Sequence, residues 1–318
     1  MEMLGGAGRF SVATAHDAAT LAREGREADV VIVRVPVPEA LFSDAPRLRA
    51  AIRHGAGMDM VPVDAATRAG VLVANTPGVN ARTVAEQVMM MALSLCRRSR
   101  QIDLALRSEG WHAGRAQTDM AGDLAGKTMG IIGMGDIGRE VAGIARRGFG
   151  LEVVTATRRP GTAPEGVETL TLEDLAATAD ILAICCPLTS ETRGMVDAGF
   201  ISQMRPGGFL INIARGAVID DDALIAALGS GHVGGAALDV FVEQPLRPDH
   251  PYLGFENVIV TPHAAGVTDD SLMRMATGAA AETLRVLRGD LPANLRNPEA
   301  VPQFRKRFPS GSDKIGAD

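Results

Sequence analysis

The chain is 318 residues long, 46% hydrophobic and 22% charged, which is ordinary for a globular protein but too long for one small core, so two domains are expected. The formal net charge of −6 and the lack of any run near about 18 uninterrupted apolar residues argue against nucleic-acid and membrane partners. Residues 1–9 lack a signal-peptide pattern, and Cys96, Cys185 and Cys186 cannot all pair, so reduced thiols in a cytoplasmic protein are expected.

Residues 30–35 read as a buried strand, and residues 47–53 as a basic helix or helix-to-strand segment leading into His54-Gly-Ala-Gly57. Residues 71–74 are another short strand, which makes the N-terminal third an α/β unit of its own. A long helix is expected over residues 83–106, connecting two domains, its methionines at 89–91 serving a core or an oligomer interface. Residues 111–123 read as a loop or arm.

Residues 128–138 carry an apolar strand into Gly133-x-Gly135-x-x-Gly138; a helix over 139–147 and a strand over 151–156 follow. This order suits a dinucleotide. Gly133 permits the tight turn, Gly135 leaves room for the pyrophosphate, and Gly138 lets the helix approach the sheet. Strands then recur over 180–185, 208–213, 235–239 and 258–261, with a helix over 220–228 and a last helix over 269–287.

The second strand of a dinucleotide unit usually ends in an acid that bonds the ribose 2′-hydroxyl. Here that place holds Thr157, followed by Arg158 and Arg159, a set that would attract a 2′-phosphate. NADP is therefore expected, with NAD left open. No metal site is predicted.

Arg215 and His263 each stand just after a strand, where α/β proteins bind ligands, with Asp239 between them in sequence. A cation that clamps a keto acid and an acid/base that works near neutral pH are what a hydride-transferring dehydrogenase needs.

These segments resemble the D-isomer-specific 2-hydroxyacid dehydrogenases over almost the whole chain. The matching motifs are His54-Gly-Ala-Gly57, Thr83-Val-Ala-Glu86, Gly133-Met-Gly-Asp-Ile-Gly138, Pro187-Leu-Thr189, Asn212-Ile-Ala-Arg-Gly216, Ala237-Leu-Asp-Val-Phe241, Thr261-Pro-His263 and Asn294-Leu-Arg-Asn-Pro298. The resemblance implies an α/β fold of two Rossmann-like or flavodoxin-like doubly wound parallel-sheet domains with a cleft between them. The substrate domain would comprise residues 1–99 and 288–318, and the dinucleotide domain residues 100–287. Arg215 would grip the substrate carboxylate and carbonyl, and His263 would move the proton. Asp239 would contact the nicotinamide carboxamide. Ala56 and Gly57 would bind the substrate carboxylate through their backbone, with Asn80 lining the substrate side. Cofactor contacts would also come from Asp136, Ile137, Cys186, Pro187, Thr189, Ile213 and Ala214. A homodimer is implied, paired through residues 83–106 and 111–123.

One position departs from the pattern. The family typically has Glu before the proline that follows Asp239; here Gln244 stands there, with Glu243 one residue earlier. Either Gln244 orients His263 as a neutral amide, or Glu243 takes the role, or the chemistry is formate-like, where no proton moves. The leading reading is NAD(P)H-dependent reduction of a small 2-keto acid, glyoxylate or hydroxypyruvate first. The alternatives are formate-dehydrogenase-like hydride transfer and a catalytically weak dinucleotide sensor.

Overall fold

The computed structural model describes residue 6, residues 8–43 and residues 45–309. They fall into two compact units, one comprising the chain up to Asn80 and from Thr268, the other Ala81–Val267.

The first unit is built on three short parallel strands, β1 (Val30–Val33), β2 (Ala50–Arg53) and β3 (Leu72–Ala74), in that spatial order. Both faces are covered, as a parallel sheet requires. Ala51 and Val73 pack with Leu41, Phe42 and Ala66 on one side. Ala50, Ile52, Leu72 and Ala74 pack against Ala279 and Val286 of the helix Asp269–Leu287 and against Phe304. Residues 47–53, read as helix or helix-to-strand, resolve into a turn and then a strand whose alanines are wholly buried. The helix Asp269–Leu287 begins with a reciprocal capping box between Thr268 and Ser271.

The second unit is a seven-stranded parallel sheet: β4 (Thr128–Ile132), β5 (Glu152–Ala156), β6 (Glu168–Thr169), β7 (Ile181–Ile184), β8 (Gly208–Asn212), β9 (Val233–Leu238) and β10 (Val258–Val260). Their spatial order is β10-β9-β8-β7-β4-β5-β6, so the winding reverses between β4 and β7. Ligands bind beyond the carboxyl ends of the strands at such a reversal. Alternate side chains serve two cores. Met129, Ile131, Ile181 and Ile211 pack against the helices Ala81–Cys96 and Asp136–Phe149; Ile132, Leu182, Leu210 and Leu238 meet the helices on the other face. No helix among the described residues is long and apolar enough to cross a membrane.

Three features differ from the sequence reading. The helix expected over 83–106 is two helices, Ala81–Cys96 and Ser99–Glu109, broken where Arg98 adopts a left-handed φ of 52° and bonds Gln117 at 2.8 Å. Residues 111–123 are not a plain loop: Trp111–Ala116 is helical and Gln117–Met120 forms a 3-10 turn, restarted after Gly110 at φ 92°. Their apolar side chains face outward, so the usual inward periodicity is missing. The unit boundaries fall at Asn80/Ala81 and Val267/Thr268 rather than at 99/100 and 287/288. The helix Ala81–Cys96 buries its apolar face in the second unit's core, and the helix Asp269–Leu287 in the first unit's.

Candidate functional site

The glycine turn joins β4 to the helix Asp136–Phe149. Gly133 sits at φ 98°, and a Cβ there would lie 2.8 Å from the Cys186 backbone. A Cβ on Gly138 would lie 2.2 Å from the Gly133 carbonyl oxygen, so only glycine allows the helix this close to the turn. Around Gly135 the space is open, as a phosphate needs. The first-turn N–H groups of Asp136, Ile137 and Gly138 have no carbonyl one turn back to receive them and so suit an anion. The Asp136 carboxylate does not oppose one there, because Arg139 pairs with it at 2.6 Å. These residues fit a dinucleotide.

β5 ends at Ala156, whose carbonyl accepts from the Gly133 N–H at 2.9 Å; Thr157, Arg158 and Arg159 follow. Both arginines are exposed. Arg158 approaches Glu191 at 3.8 Å, a weak surface pair, and the Arg159 N–H donates to the Thr157 hydroxyl at 3.3 Å. Cys186 and Pro187 leave the end of β7 beside Gly133. Burial pushes the Cys186 thiol up to about 11, so it stays protonated near neutral pH. Thr189 lies in a turn closed by Thr192, whose hydroxyl donates to the Pro187 carbonyl at 2.7 Å and accepts from the Thr189 N–H at 2.8 Å.

Arg215, Gln244 and His263 gather at the carboxyl ends of β8, β9 and β10. Buried Asn212 shapes the first loop: its Oδ1 accepts from the Ala214 N–H at 3.0 Å, and its amide donates to the Arg215 carbonyl at 3.0 Å. Ile213 and Ala214 are buried beneath it. Gly216 then lets this loop touch the next, since a Cβ there would lie 2.0 Å from the Phe241 carbonyl carbon.

Asp239 holds the third loop. It is 1% exposed, and both its carboxylate oxygens are used by the protein. Oδ1 accepts from the Thr261 hydroxyl at 2.5 Å and the Ala264 N–H at 2.8 Å, and Oδ2 from the Ala265 N–H at 3.0 Å. The Asp239 carbonyl accepts from the His263 N–H at 2.8 Å. Held from both sides, His263 keeps φ 55°, a left-handed conformation uncommon for a non-glycine residue. Its Nδ1 lies 3.0 Å from Gln244 Oε1, while Gln244 Nε2 donates to the Phe241 carbonyl at 3.2 Å. That carbonyl can only accept, so it fixes the amide orientation and makes His263 Nδ1 the donor. The exchangeable proton then belongs to Nε2.

The family model for the D-isomer specific 2-hydroxyacid dehydrogenase, NAD binding domain, matches residues 89–265. A glyoxylate reductase of Aeropyrum pernix is 39% identical over 294 residues, covering 89% of this chain and 87% of the relative. A glyoxylate/hydroxypyruvate reductase B of Pectobacterium carotovorum is 37% identical over 268 residues, covering 83% and 84%. The crystal structure of the TT0316 protein from Thermus thermophilus superposes with a TM-score of 0.81 at 33% identity, covering 91% of this chain and 90% of that one. The chain belongs to the D-isomer specific 2-hydroxyacid dehydrogenases. It is an oxidoreductase that uses a nicotinamide dinucleotide.

Within this dehydrogenase, Gln244 rather than Glu243 meets the histidine. Glu243 is exposed and faces Arg247 at 3.6 Å. Asp239, expected at the nicotinamide carboxamide, braces the His263 loop.

The first unit carries the remaining expected residues. Ala56 and Gly57 lie in the loop after β2; their N–H groups make no hydrogen bond among the described residues. Asn80 is partly buried at the end of that unit's first segment, and the Val79 carbonyl before it accepts from Arg274 at 2.9 Å. His54, buried beside the loop, is held below its ordinary range by burial and by the Arg34 and Arg53 cations.

The bracing roles of Asn212, Thr261 and Thr192 escaped the sequence reading. Asn212 and Thr192 bond backbone groups of their own turns, and Thr261 bonds Asp239 at the end of the neighbouring strand.

Replacing Asp239 with Asn puts an NH2 where an N–H must be received. Urea unfolding should show a loss of about 2 kcal/mol, and kcat should fall about tenfold as His263 loses its support. Unchanged stability and kcat would mean that the carboxylate does not brace the loop.

Proposed function

We propose that this dehydrogenase reduces a small 2-keto acid, glyoxylate or hydroxypyruvate, with NADPH as the preferred donor. The observation that carries the reading is the gathering of Arg215 and His263 on loops locked together by Asn212, Gly216 and Asp239. Bound along the glycine turn, NAD(P)H supplies the hydride. Arg215 binds the keto acid and offsets negative charge developing on its oxygen, and His263 delivers the proton from Nε2. In the first unit, the Ala56 and Gly57 N–H groups suit the substrate carboxylate.

The cofactor choice rests on charge. Thr157 replaces the acid that would repel a 2′-phosphate, and Arg158 and Arg159 stand exposed beside it. The three unpaired cysteines fit a reducing cytoplasm. A homodimer accounts for the outward apolar side chains of Leu104, Leu106, Trp111 (70% exposed) and Met120 on adjoining helical segments.

A second reading comes from Gln244. A neutral amide on His263 suffices where no proton moves, as in hydride removal from formate.

Initial rates with glyoxylate, hydroxypyruvate, pyruvate and formate, each with both cofactor types, test these readings together. Keto-acid reduction with NADPH favoured about tenfold or more is expected, lost on replacing Arg158 and Arg159 with Gln. Turnover of formate alone would overturn the reductase reading, and an NADH preference would overturn the phosphate site. Gln244→Glu places a carboxylate against the Nδ1–H of His263 and stabilises its charged form. The high-pH fall of the reduction rate should then move up by about one pH unit. An unshifted profile would show that residue 244 does not govern the proton. Trp111→Glu should convert a dimer to monomers in sedimentation; a monomeric parent would refute the pairing.

A further inference from the structure

The motif Asn294-Leu-Arg-Asn-Pro298 lies far from every residue so far given a role, yet the first unit brings it to the loop that holds Ala56 and Gly57. Leu295 forms an antiparallel bridge with Ala74, and the Arg296 N–H donates to the Val73 carbonyl at 2.7 Å. Asn297, 1% exposed, locks this alignment: its Oδ1 accepts from the Val73 N–H at 2.7 Å, and its amide donates to Thr67 Oγ1 at 3.0 Å and to the Val71 carbonyl at 2.9 Å. The segment is thereby laid along β3, and the Arg296 side chain reaches the residue just past that strand. Its Nε donates to Asn75 Oδ1 at 2.7 Å. With its oxygen engaged, Asn75 turns its amide to the Ala56 carbonyl, to which Nδ2 donates at 2.6 Å. Asn75 and Thr76 are each 2% exposed.

The consequence is geometric. In a trans peptide the C=O and the following N–H point in opposite directions. Tying the Ala56 carbonyl to Asn75 therefore turns the Gly57 N–H away from Asn75. One residue earlier, the Gly55 carbonyl accepts from the Thr76 N–H at 3.0 Å, which turns the Ala56 N–H away from Thr76. The Gly55 N–H is itself used by Thr76 Oγ1 at 2.9 Å. Two consecutive N–H groups, neither bonded among the described residues, thus face away from a buried polar bracket. Two such donors together form a receptor for a carboxylate. The loop cannot turn over without breaking bonds to buried groups.

We propose that Asn75 and Arg296 are positioning residues for the substrate carboxylate: Arg296 orients the Asn75 amide, and Asn75 aims the Gly57 N–H through the Ala56 carbonyl. The proposal rests on the 2-keto acid reading. It adds that carboxylate affinity is set by a relay starting at an exposed arginine 221 residues away in sequence.

Three variants test the relay. Asn75→Asp keeps an acceptor for Arg296 but sets a carboxylate oxygen against the Ala56 carbonyl. Arg296→Met, at an exposed position, removes the first link without burying a charge, and Arg296→Lys retains a donor. Melting temperatures establish that each is folded. KM for the keto acid should rise about tenfold or more in Asn75→Asp and about fivefold in Arg296→Met, with partial recovery in Arg296→Lys. Throughout, kcat and the KM for NADPH should stay within about twofold. Calorimetric titration of the enzyme with oxalate, which needs no turnover, should show affinity falling in the same order. Folded variants with unchanged keto-acid KM and oxalate affinity would overturn the relay while leaving the reductase reading intact. An equal rise in the KM for NADPH would also overturn it, since the effect would then be general. A parent enzyme that neither reduces keto acids nor binds oxalate would remove both.

Discussion

A buried carboxylate organises the chemistry of the second unit. Asp239 is almost wholly removed from water, where an unsatisfied ionised group would be strongly destabilising. It is tolerated because the segment after β10 brings it a hydroxyl and two N–H groups, from Thr261, Ala264 and Ala265. The dependence runs both ways. The same bonds leave His263 little choice but its left-handed backbone, so the orientation of the His263 side chain follows from satisfying a charge at the end of the neighbouring strand. The Asp239 N–H donates to the Asn212 carbonyl at 2.9 Å, which ties this arrangement to the loop of Arg215.

Charge compensation shapes the rest of that unit as well. The helix after the glycine turn opens with an acid, favourable for the helix dipole but unhelpful to a pyrophosphate, and Arg139 offsets it. After β5 the sign is reversed, with a hydroxyl and two guanidiniums where an NAD site would place a carboxylate. Gln244 continues the pattern of removed negative charge, leaving His263 with a neutral partner.

Much of this is legible in the sequence. The glycine turn could be read because its reasons are local: Gly133, Gly135 and Gly138 answer to steric demands within a few residues of one another. The positions of Arg215 and His263 followed from short strands ending just before them. The break at Arg98 was not legible, because its left-handed turn depends on a bond to Gln117, nineteen residues on. The helix from Trp111 was missed since its apolar residues face outward and leave no inward period. Asn75 and Arg296 were silent for a further reason. A polar residue that braces a distant loop has no partner within any sequence window. Asp239 was seen, but its environment could not be: the same Asp in the same motif could face a ligand or turn inward.

The relation between Gln244 and the Phe241 carbonyl shows how far a backbone group can reach into reactivity. A glutamine amide is ambiguous, able to offer either its oxygen or its nitrogen to an imidazole. Phe241 removes that ambiguity, because a carbonyl repels the amide oxygen and accepts the nitrogen. The amide oxygen must then face His263, Nδ1 must carry a proton, and Nε2 becomes the site of proton exchange. The Phe241 carbonyl is in turn placed by the contact with Gly216, where any side chain would collide with residues 241 and 242. The protonation geometry of the histidine therefore depends on the absence of one Cβ on a different loop. A substituent at Gly216 would shift the Phe241 carbonyl, and with it the Gln244–His263 hydrogen bond, without touching the histidine itself.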